Sequence, residues 1–195
     1  MSANRSNHLA AAARLSRRGF TLVEILAVVV IIGIASAIII PNMGTRDDLR
    51  VSSAARVIVA DLIYAQNQAI SSSSVVYAKF DVANNRYTLL STANSGGDVT
   101  LTNPFTQQPY RQQFGTGSQG WDTVSLQSTT FNGLDASYQN CFTIAFDEIG
   151  SPFAFNYSTN LTNDLSAGSV VVTCGTQTKT ITISAATGEL TVSPN

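Results

Sequence analysis

The chain has 195 residues, of which 44% are hydrophobic and 12% charged, and its formal net charge is −1. This size allows one modest domain with an appendage. Arg5, Arg14, Arg17 and Arg18 lie in residues 1–19, where there is no acid, so the rest of the chain carries seven basic against twelve acidic residues. Nucleic-acid affinity depends on clustered Lys and Arg, so a nucleic-acid partner is not expected.

Histidine and cysteine are scarce, which bears on metal, redox and catalytic sites. His8 is the one histidine and lies in the basic leader, while Cys141 and Cys174 lack the C-x-x-C spacing of a zinc or redox site. A Ser-His-Asp triad would need a histidine in the body of the chain. The adjacent acids Asp147 and Glu148 would point to opposite faces of a strand. The sequence therefore predicts no metal, no cofactor and no enzymatic activity.

An apolar run follows the basic leader of residues 1–19 and extends from Phe20 to Ile40. As a helix, this run would be about 31 Å long, which matches the roughly 30 Å core of a bilayer. It exceeds the core of about 7 to 15 residues of a cleaved signal peptide, the main alternative. Residues 20–41 are therefore predicted to form a transmembrane helix. The positive-inside rule predicts a single-pass membrane protein with a cytoplasmic N-terminus and an exported C-terminal domain.

A short motif stands at the start of this run, where Gly19 is followed by Phe-Thr-Leu-Val and then Glu24. It resembles the prepilin peptidase recognition sequence of type IV pilins and type II secretion pseudopilins, Gly-Phe-Thr-Leu-[Ile/Val/Leu]-Glu before a hydrophobic helix. The resemblance implies that prepilin peptidase cuts after Gly19 and that the new N-terminal residue, Phe20, is N-methylated. It also implies assembly with other pilin or pseudopilin subunits through the helix.

Glu24 is an acid within the apolar run. A charged side chain costs about 2.5 to 3.5 kcal/mol at the centre of a membrane helix, so its presence favours a functional role. One alternative is that Glu24 simply extends to the membrane interface. The resemblance implies instead that Glu24 neutralises the α-amine of Phe20 during assembly, and we favour this role.

Residues 42–74 are predicted to form an amphipathic helix and a linker. A bend is expected at Pro41, because proline removes a backbone donor and clashes with the preceding turn. The serines at 71–74 are predicted to end the helix, and Asp61 is predicted to point away from its apolar stripe. The stripe has a helical period and consists of Val51, Ala55, Ile58, Val59, Leu62, Ala65 and Ala69.

Residues 75–195 are predicted to form an exported β domain. Short strands separated by Asn, Gly and Pro predict a small antiparallel sandwich or pair of sheets. The fold class is therefore α+β, with a long N-terminal helix packed on a small antiparallel β domain. Residues 91–120 are predicted to be a long surface loop ordered around Phe105, Tyr110 and Trp121. The strands are predicted at Val75–Phe80, Tyr87–Leu90, Thr123–Leu126, Cys141–Phe146, Phe153–Asn156, Ser169–Thr173, Lys179–Ser184 and Leu190–Val192.

A second, weaker pattern lies near the C-terminus, in Phe146–Pro152 followed by Ile181–Ser184 and Thr187-Gly188-Glu189. It is similar to the C-terminal pattern of the GspH/FimT group of minor pseudopilins. Turn chemistry alone explains much of it, because Asp and Gly favour tight turns. With the N-terminal motif, the resemblance implies a minor pseudopilin of a type II secretion system. The alternatives are a minor type IV pilin and a FimT-like DNA-uptake pilin, and the latter would need a basic patch.

Cys141 and Cys174 form a candidate disulfide, because the domain that contains them is predicted to be exported to an oxidising compartment. A bridge closing this loop would stabilise the fold by roughly 3 to 4 kcal/mol. The alternative is that both cysteines are small buried hydrophobic residues.

Overall fold

The computed structural model describes residues 19–39, 46–92, 97–116, 120–156, 159 and 161–194. The predicted leader, apart from Gly19, and the bend predicted at Pro41 lie outside the described residues. The chain divides into two compact units, residues 1–43 and residues 44–195.

The first unit contains helix α1, Leu22–Ile39. Apolar side chains are exposed around the helix; Leu22 is 81% exposed and Ile31 is 64% exposed. Within the part of the chain that the structure describes, no helix combines the length and the apolar character of a membrane span. The transmembrane helix predicted for residues 20–41 is therefore not confirmed by the structure.

The second unit, which we call the body, begins with helix α2, Arg46–Ser72, and this helix packs on a sheet. Its apolar stripe packs against the sheet, as predicted, and every residue of the stripe except the half-buried Val59 is buried. The helix ends in the predicted serine run, where Ser73 has a φ of 45°. The prediction for Asp61 is wrong. Its side chain is buried with the stripe, because tyrosine hydroxyls from the sheet side provide its hydrogen bonds.

Every paired strand in the described part of the body is antiparallel. The strand order is β10-β9-β8-β7-β6-β1-β2-β3, with β4 paired to β2 and β5 paired to β8. The strands are β1 (Val76–Asp81), β2 (Arg86–Thr92), β3 (Asp98–Thr100), β4 (Arg111–Gln113), β5 (Val124–Gly133), β6 (Thr143–Phe146), β7 (Pro152–Asn156), β8 (Leu161–Cys174), β9 (Gln177–Ile183) and β10 (Leu190–Pro194).

Strand β8 joins two groups of strands into one sheet. Its first residues, from Leu161 to Asp164, pair with β7, and its later residues, from Leu165 to Cys174, pair with β5. The pilin-like α+β arrangement predicted from the sequence, a helix on an antiparallel sheet, is therefore confirmed for the body. Each predicted strand overlaps an observed one, but β5 and β8 are much longer than predicted.

The long surface loop predicted for residues 91–120 is only partly correct. The segment contains β3 and β4, and Phe114 within it is fully buried. Tyr110 and Trp121 pack against the core, as expected. Phe105 does not order the segment, because its side chain is 93% exposed.

The predicted Cys141–Cys174 disulfide is absent from the structure, in which both cysteines are free and buried. Strand β5 separates them: its Val124 pairs with Cys174, and its Phe131 bridges to Cys141. At about 3.3 Å per residue this separation is roughly 20 Å, whereas bridged Cα atoms lie about 4.4 to 6.8 Å apart. The buried-hydrophobe alternative describes both residues, and burial raises the pKa of the Cys141 thiol.

Candidate processing and assembly site

The predicted cleavage point lies just before helix α1. Gly19 and Phe20 are outside the helix, and the Phe20 side chain is 79% exposed. A Cβ atom added to Gly19 would meet no described atom within 4 Å. The Gly19–Phe20 peptide bond therefore lies in an open, non-helical stretch, as cleavage by a protease requires.

Thr21 and Glu24 close the start of α1 by capping it reciprocally. The Glu24 amide donates to the Thr21 hydroxyl at 3.2 Å, and the Thr21 amide donates to the Glu24 carboxylate at 3.5 Å. This is a capping box, in which two otherwise unpaired amides at the helix start are satisfied. Thr21 was not among the predicted site residues, although Thr-x-x-Glu before an apolar run is a recognised signal for this cap.

The capping box gives Glu24 a local role in the uncut chain. There the Phe20 nitrogen belongs to a peptide bond, so no α-amine exists for Glu24 to neutralise. The carboxylate instead accepts a hydrogen bond from its own helix start. Cleavage would create a cation one residue before Thr21, and the predicted role of Glu24 in assembly becomes chemically available only then.

The C-terminal pattern of Phe146–Pro152 forms a turn that contacts α2. The Asp147 carboxylate accepts hydrogen bonds from the amides of Ile149 at 3.1 Å and Ser151 at 2.6 Å. Gly150 has a φ of 86°, and its carbonyl accepts a hydrogen bond from the Gln66 side chain of α2 at 2.8 Å. The pattern is thus explained by turn geometry and by docking of the turn on α2.

Gly188 also packs against this contact, although it is distant in sequence. A Cβ atom at Gly188 would lie 2.7 Å from the Gln66 amide nitrogen, and the residue has a φ of 71°. Both facts favour glycine at this position. The two turns of the C-terminal pattern therefore meet at Gln66.

A buried carboxylate joins α2 to the sheet. Asp61 accepts hydrogen bonds from the hydroxyls of Tyr87 at 2.5 Å and Tyr110 at 2.8 Å, and Tyr110 also stacks on Tyr64 of α2 with ring centroids 5.1 Å apart. Burial raises the pKa of Asp61, and the two tyrosine hydrogen bonds only partly oppose it. The pKa values of both tyrosines are raised, chiefly by burial and then by the neighbouring carboxylate.

This polar cluster holds the segment from β3 to β4 against the helix, since Tyr110 directly precedes β4. A sequence signal was present, because Asp61 falls three residues after Ile58 and four before Ala65 and so shares their helix face. In the described ranges, no group of three or more His, Cys, Asp and Glu residues is placed to hold a metal ion.

Comparison with known proteins gives two consistent results. The family model of the prokaryotic N-terminal methylation motif matches residues 14–40. A crystal structure of the minor pseudopilin EpsH from the type II secretion system of Vibrio cholerae matches with a TM-score of 0.50 at 13% identity, over 76% of this chain and 96% of that chain. The fold of the chain is pilin-like. At this identity the structural match concerns the fold alone.

Two further solved structures are similar to this chain. A second structure of Vibrio cholerae EpsH matches with a TM-score of 0.46 at 13% identity, over 75% of this chain and 96% of that one. The type IV minor pilin FimU of Pseudomonas aeruginosa PAO1 matches with a TM-score of 0.42 at 16% identity, over 74% and 88% of the two chains. No curated protein matches the sequence.

Proposed function

We propose that the chain is a minor pseudopilin subunit of a type II protein secretion system. The observation that carries this proposal is the methylation motif of residues 14–40, which leads into helix α1 and precedes a pilin-like body. The likeness of the body to the fold of the minor pseudopilin EpsH supports a pilin-like subunit. The chain acts as a structural subunit and not as an enzyme.

Processing is proposed at the Gly19–Phe20 bond, by prepilin peptidase, with N-methylation of Phe20. The openness of this bond supports the proposal, because nothing described crowds Gly19 and the helix begins only at Leu22. Removal of residues 1–19 also removes the four leader arginines from the subunit.

Before assembly, the segment of residues 20–41 is proposed to anchor the chain in the inner membrane, with the N-terminus cytoplasmic and the body periplasmic. Two features support this topology. The apolar residues of α1 are exposed in the chain itself, and the basic residues lie before the segment, as the positive-inside rule requires.

Assembly is proposed to use α1 and the charge pair that processing creates. Cleavage produces an α-amine on Phe20, and Glu24 is the one acid of the described α1 segment. A carboxylate surrounded by apolar helices needs a cation or donors to offset its desolvation. The Phe20 amine of the same or a neighbouring subunit provides that cation.

The test is complementation of a deletion strain in the source organism. We expect deletion to abolish export of type II substrates into the medium, and full-length wild-type chain to restore it. The matched variant Glu24→Val should be produced and processed, yet should fail to restore export. Intact secretion with loss of surface pili would assign the chain to a type IV pilus, and loss of DNA uptake alone would assign it to an uptake system. Either result would contradict the secretion proposal.

A further inference from the structure

The sheet has edges at which a strand has a neighbour on one side only, and two of these edges are protected. At the edge formed by β3 and β4, each strand has three residues and carries a charge, Asp98 or Arg111. The outer side of β5 is covered in part, because Phe131 exchanges two backbone hydrogen bonds with Cys141, and the register of β5 shifts twice. Short, charged and bulged edges resist the addition of further strands.

Strand β10 forms a further edge and lacks these protections. Its five residues, Leu190–Pro194, include no charged side chain, and all of them pair with β9 in one continuous register. On the other side of β10, no strand of the described residues pairs with it. Pro194 removes a backbone donor only at the last position. The outer edge of β10 therefore offers backbone donors and acceptors to an extended chain.

A groove lies beside this edge, on the face of the sheet that packs against α2. Leu190 and Val192 of β10 pair with Ile183 and Ile181 of β9, which are buried in the core shared with α2, so all four side chains lie on that face. Val192 is nevertheless 44% exposed. A strand added to β10 would place alternate side chains in the groove. The groove has a volume of about 260 Å³ and is lined by Ser52, Arg56, Lys179, Val192 and Pro194.

The two basic side chains of the groove differ in their pairing. Lys179 forms an ion pair with Asp48 of α2 at 3.2 Å, so its charge is offset within the body. Arg56 is exposed, and it forms no ion pair with any residue in the described ranges. An added strand with an acid on its α2-facing side would therefore meet the Arg56 guanidinium. Such a charge match favours one partner over others more than it adds affinity.

The same charges disfavour a second copy of this chain as the occupant. Antiparallel pairing of β10 with β10 about a two-fold axis would bring both copies of Arg56 to the same side of the joined sheet, with Lys179 beside each. Like charges placed across an interface repel each other, and β10 carries no acid that could offset them. The groove therefore suits an acidic partner strand better than it suits another β10.

We propose that the outer edge of β10 binds an extended segment of a partner protein as an additional strand. Backbone hydrogen bonds to β10 hold the segment, an apolar side chain covers Val192, and an Asp or Glu side chain pairs with Arg56. Strand addition takes its affinity from main-chain hydrogen bonds and its specificity from alternate side chains. The edge lies in the body, so the interaction goes beyond the proposed function and does not depend on processing.

The experiment measures binding of the fluorescein-labelled peptide Val-Thr-Glu-Thr-Val to the full chain in a non-ionic detergent. When the peptide is extended, its valines and its glutamate lie on one face. Two N-methylated versions, one modified at the first, third and fifth residues and one at the second and fourth, each lose the backbone donors on one side. We expect one version to bind about tenfold more weakly, because several hydrogen bonds to β10 are lost, and the other to bind nearly as well as the unmodified peptide.

Variants of the chain test the charge and the location. Arg56→Gln should weaken binding of the unmodified peptide about threefold and should leave binding of a peptide with Gln in place of Glu unchanged. Arg111→Gln is the matched control, because it removes an exposed charge at the opposite edge of the sheet. Amide hydrogen exchange should slow on binding in residues 190–194 and not in residues 98–113.

Three results would overturn this proposal. The first is an equal effect of the two N-methylation patterns, since strand addition uses one side of the peptide. The second is an equal loss of binding in Arg111→Gln, which would indicate a general charge effect. The third is slower exchange in residues 190–194 at high protein concentration without peptide, which would assign the edge to a second copy. Thermal unfolding checks that each variant is folded, and the N-methylated peptides test the unmodified chain if Arg56→Gln is unstable.

Discussion

The two helices of this chain both carry apolar residues, but they place them in opposite environments. Helix α2 buries nearly all of its apolar stripe, and Val51, Ile58 and Leu62 have no exposed surface. Helix α1 leaves its apolar side chains exposed, among them Leu26 at 61% and Ile34 at 61%. Packing within the body therefore accounts for the apolar residues of α2, whereas the apolar residues of α1 are left uncovered.

Helix α2 is amphipathic, and the body's sheet provides the surface on which its apolar face packs. Helix α1 is apolar all round, and such a helix requires an apolar environment. The exposed surface of α1 thus agrees with the proposed sequence of membrane anchoring followed by assembly, whereas the surface of α2 serves stability. Perturbations of the two regions should therefore have different consequences.

The largest effect is expected at the cleavage point. Gly19→Ala, and more strongly Gly19→Leu, should cause unprocessed chain to accumulate, because the peptidase requires close approach to the backbone. Immunoblotting of membrane fractions measures the precursor and mature forms. Gly33→Ala is the matched control, since an added Cβ meets no described atom within 4 Å at either glycine. Normal processing of Gly19→Leu would contradict the assigned cleavage point.

Substitutions of Glu24 can separate the effect of its charge from its contribution to the capping box with Thr21. Glu24→Gln keeps a side chain that can complete the capping box but removes the charge. If assembly depends on pairing with the Phe20 amine, Glu24→Gln should reduce incorporation into filaments about tenfold, the loss expected for one charge-assisted hydrogen bond. Crosslinking with the major subunit measures incorporation. Normal incorporation of Glu24→Gln, with loss only in Glu24→Val, would show that the cap and not the charge matters.

In the body, the expected effect is on stability. Asp61→Ala leaves the buried Tyr87 hydroxyl and the partly buried Tyr110 hydroxyl without their acceptor, so we expect a loss of about 3 kcal/mol in the free energy of unfolding. Chemical denaturation of the full chain in detergent, followed by tryptophan fluorescence, measures it. Asn67→Ala, at an exposed position of the same helix, should change stability by less than about 0.5 kcal/mol. Equal effects of the two variants would contradict the packing described for Asp61.

A smaller effect is expected from pH. The pKa of Asp61 is raised in the folded chain, so its contribution to stability is fully present below the unfolded value of about 3.9 and is lost as pH rises through the folded pKa. Relative to Asp61→Asn, wild-type stability should therefore fall as pH rises from about 4. Denaturation curves of the two proteins at several pH values give the comparison. A constant difference would show that the folded carboxylate titrates normally.

The smallest effect is expected for the cysteines. Because Cys141 and Cys174 are free in the structure, a reductant should leave the unfolding transition unchanged. Thiol labelling of the denatured, non-reduced protein should detect both thiols. If no thiol reacts and reduction lowers stability by roughly 3 to 4 kcal/mol, the two cysteines are bridged and the described strand pairing is wrong.

The amphipathic period of α2 and the turn residues between strands were sufficient to predict a helix on an antiparallel sheet. The lengths of β5 and β8 were not predictable, because Ser, Thr and Asn continue these strands where local sequence indicates loops. Strands β3 and β4 were missed for the same reason, since pairing with β2 and not composition orders them. Burial of Asp61 depends on Tyr87 and Tyr110, which only the fold brings to it.

The candidate processing site was easier to predict from the sequence than the contacts between strands. Gly19, Phe20 and Glu24 lie within six consecutive residues, so a local motif contains the whole processing signal. By contrast, only strand register brings Lys79, Arg86 and Arg111 to neighbouring strands. Total charge correctly indicates an acidic body but is silent on such local clustering.

The most direct test of the account is the N-terminal residue of the wild-type protein purified from membranes of the source organism. Intact-mass measurement with fragmentation of the N-terminal peptide determines it. The account predicts a chain that begins with N-methylated Phe20 and contains residues 20–195. A chain that still begins at Met1, or that begins at any residue other than Phe20, would contradict it.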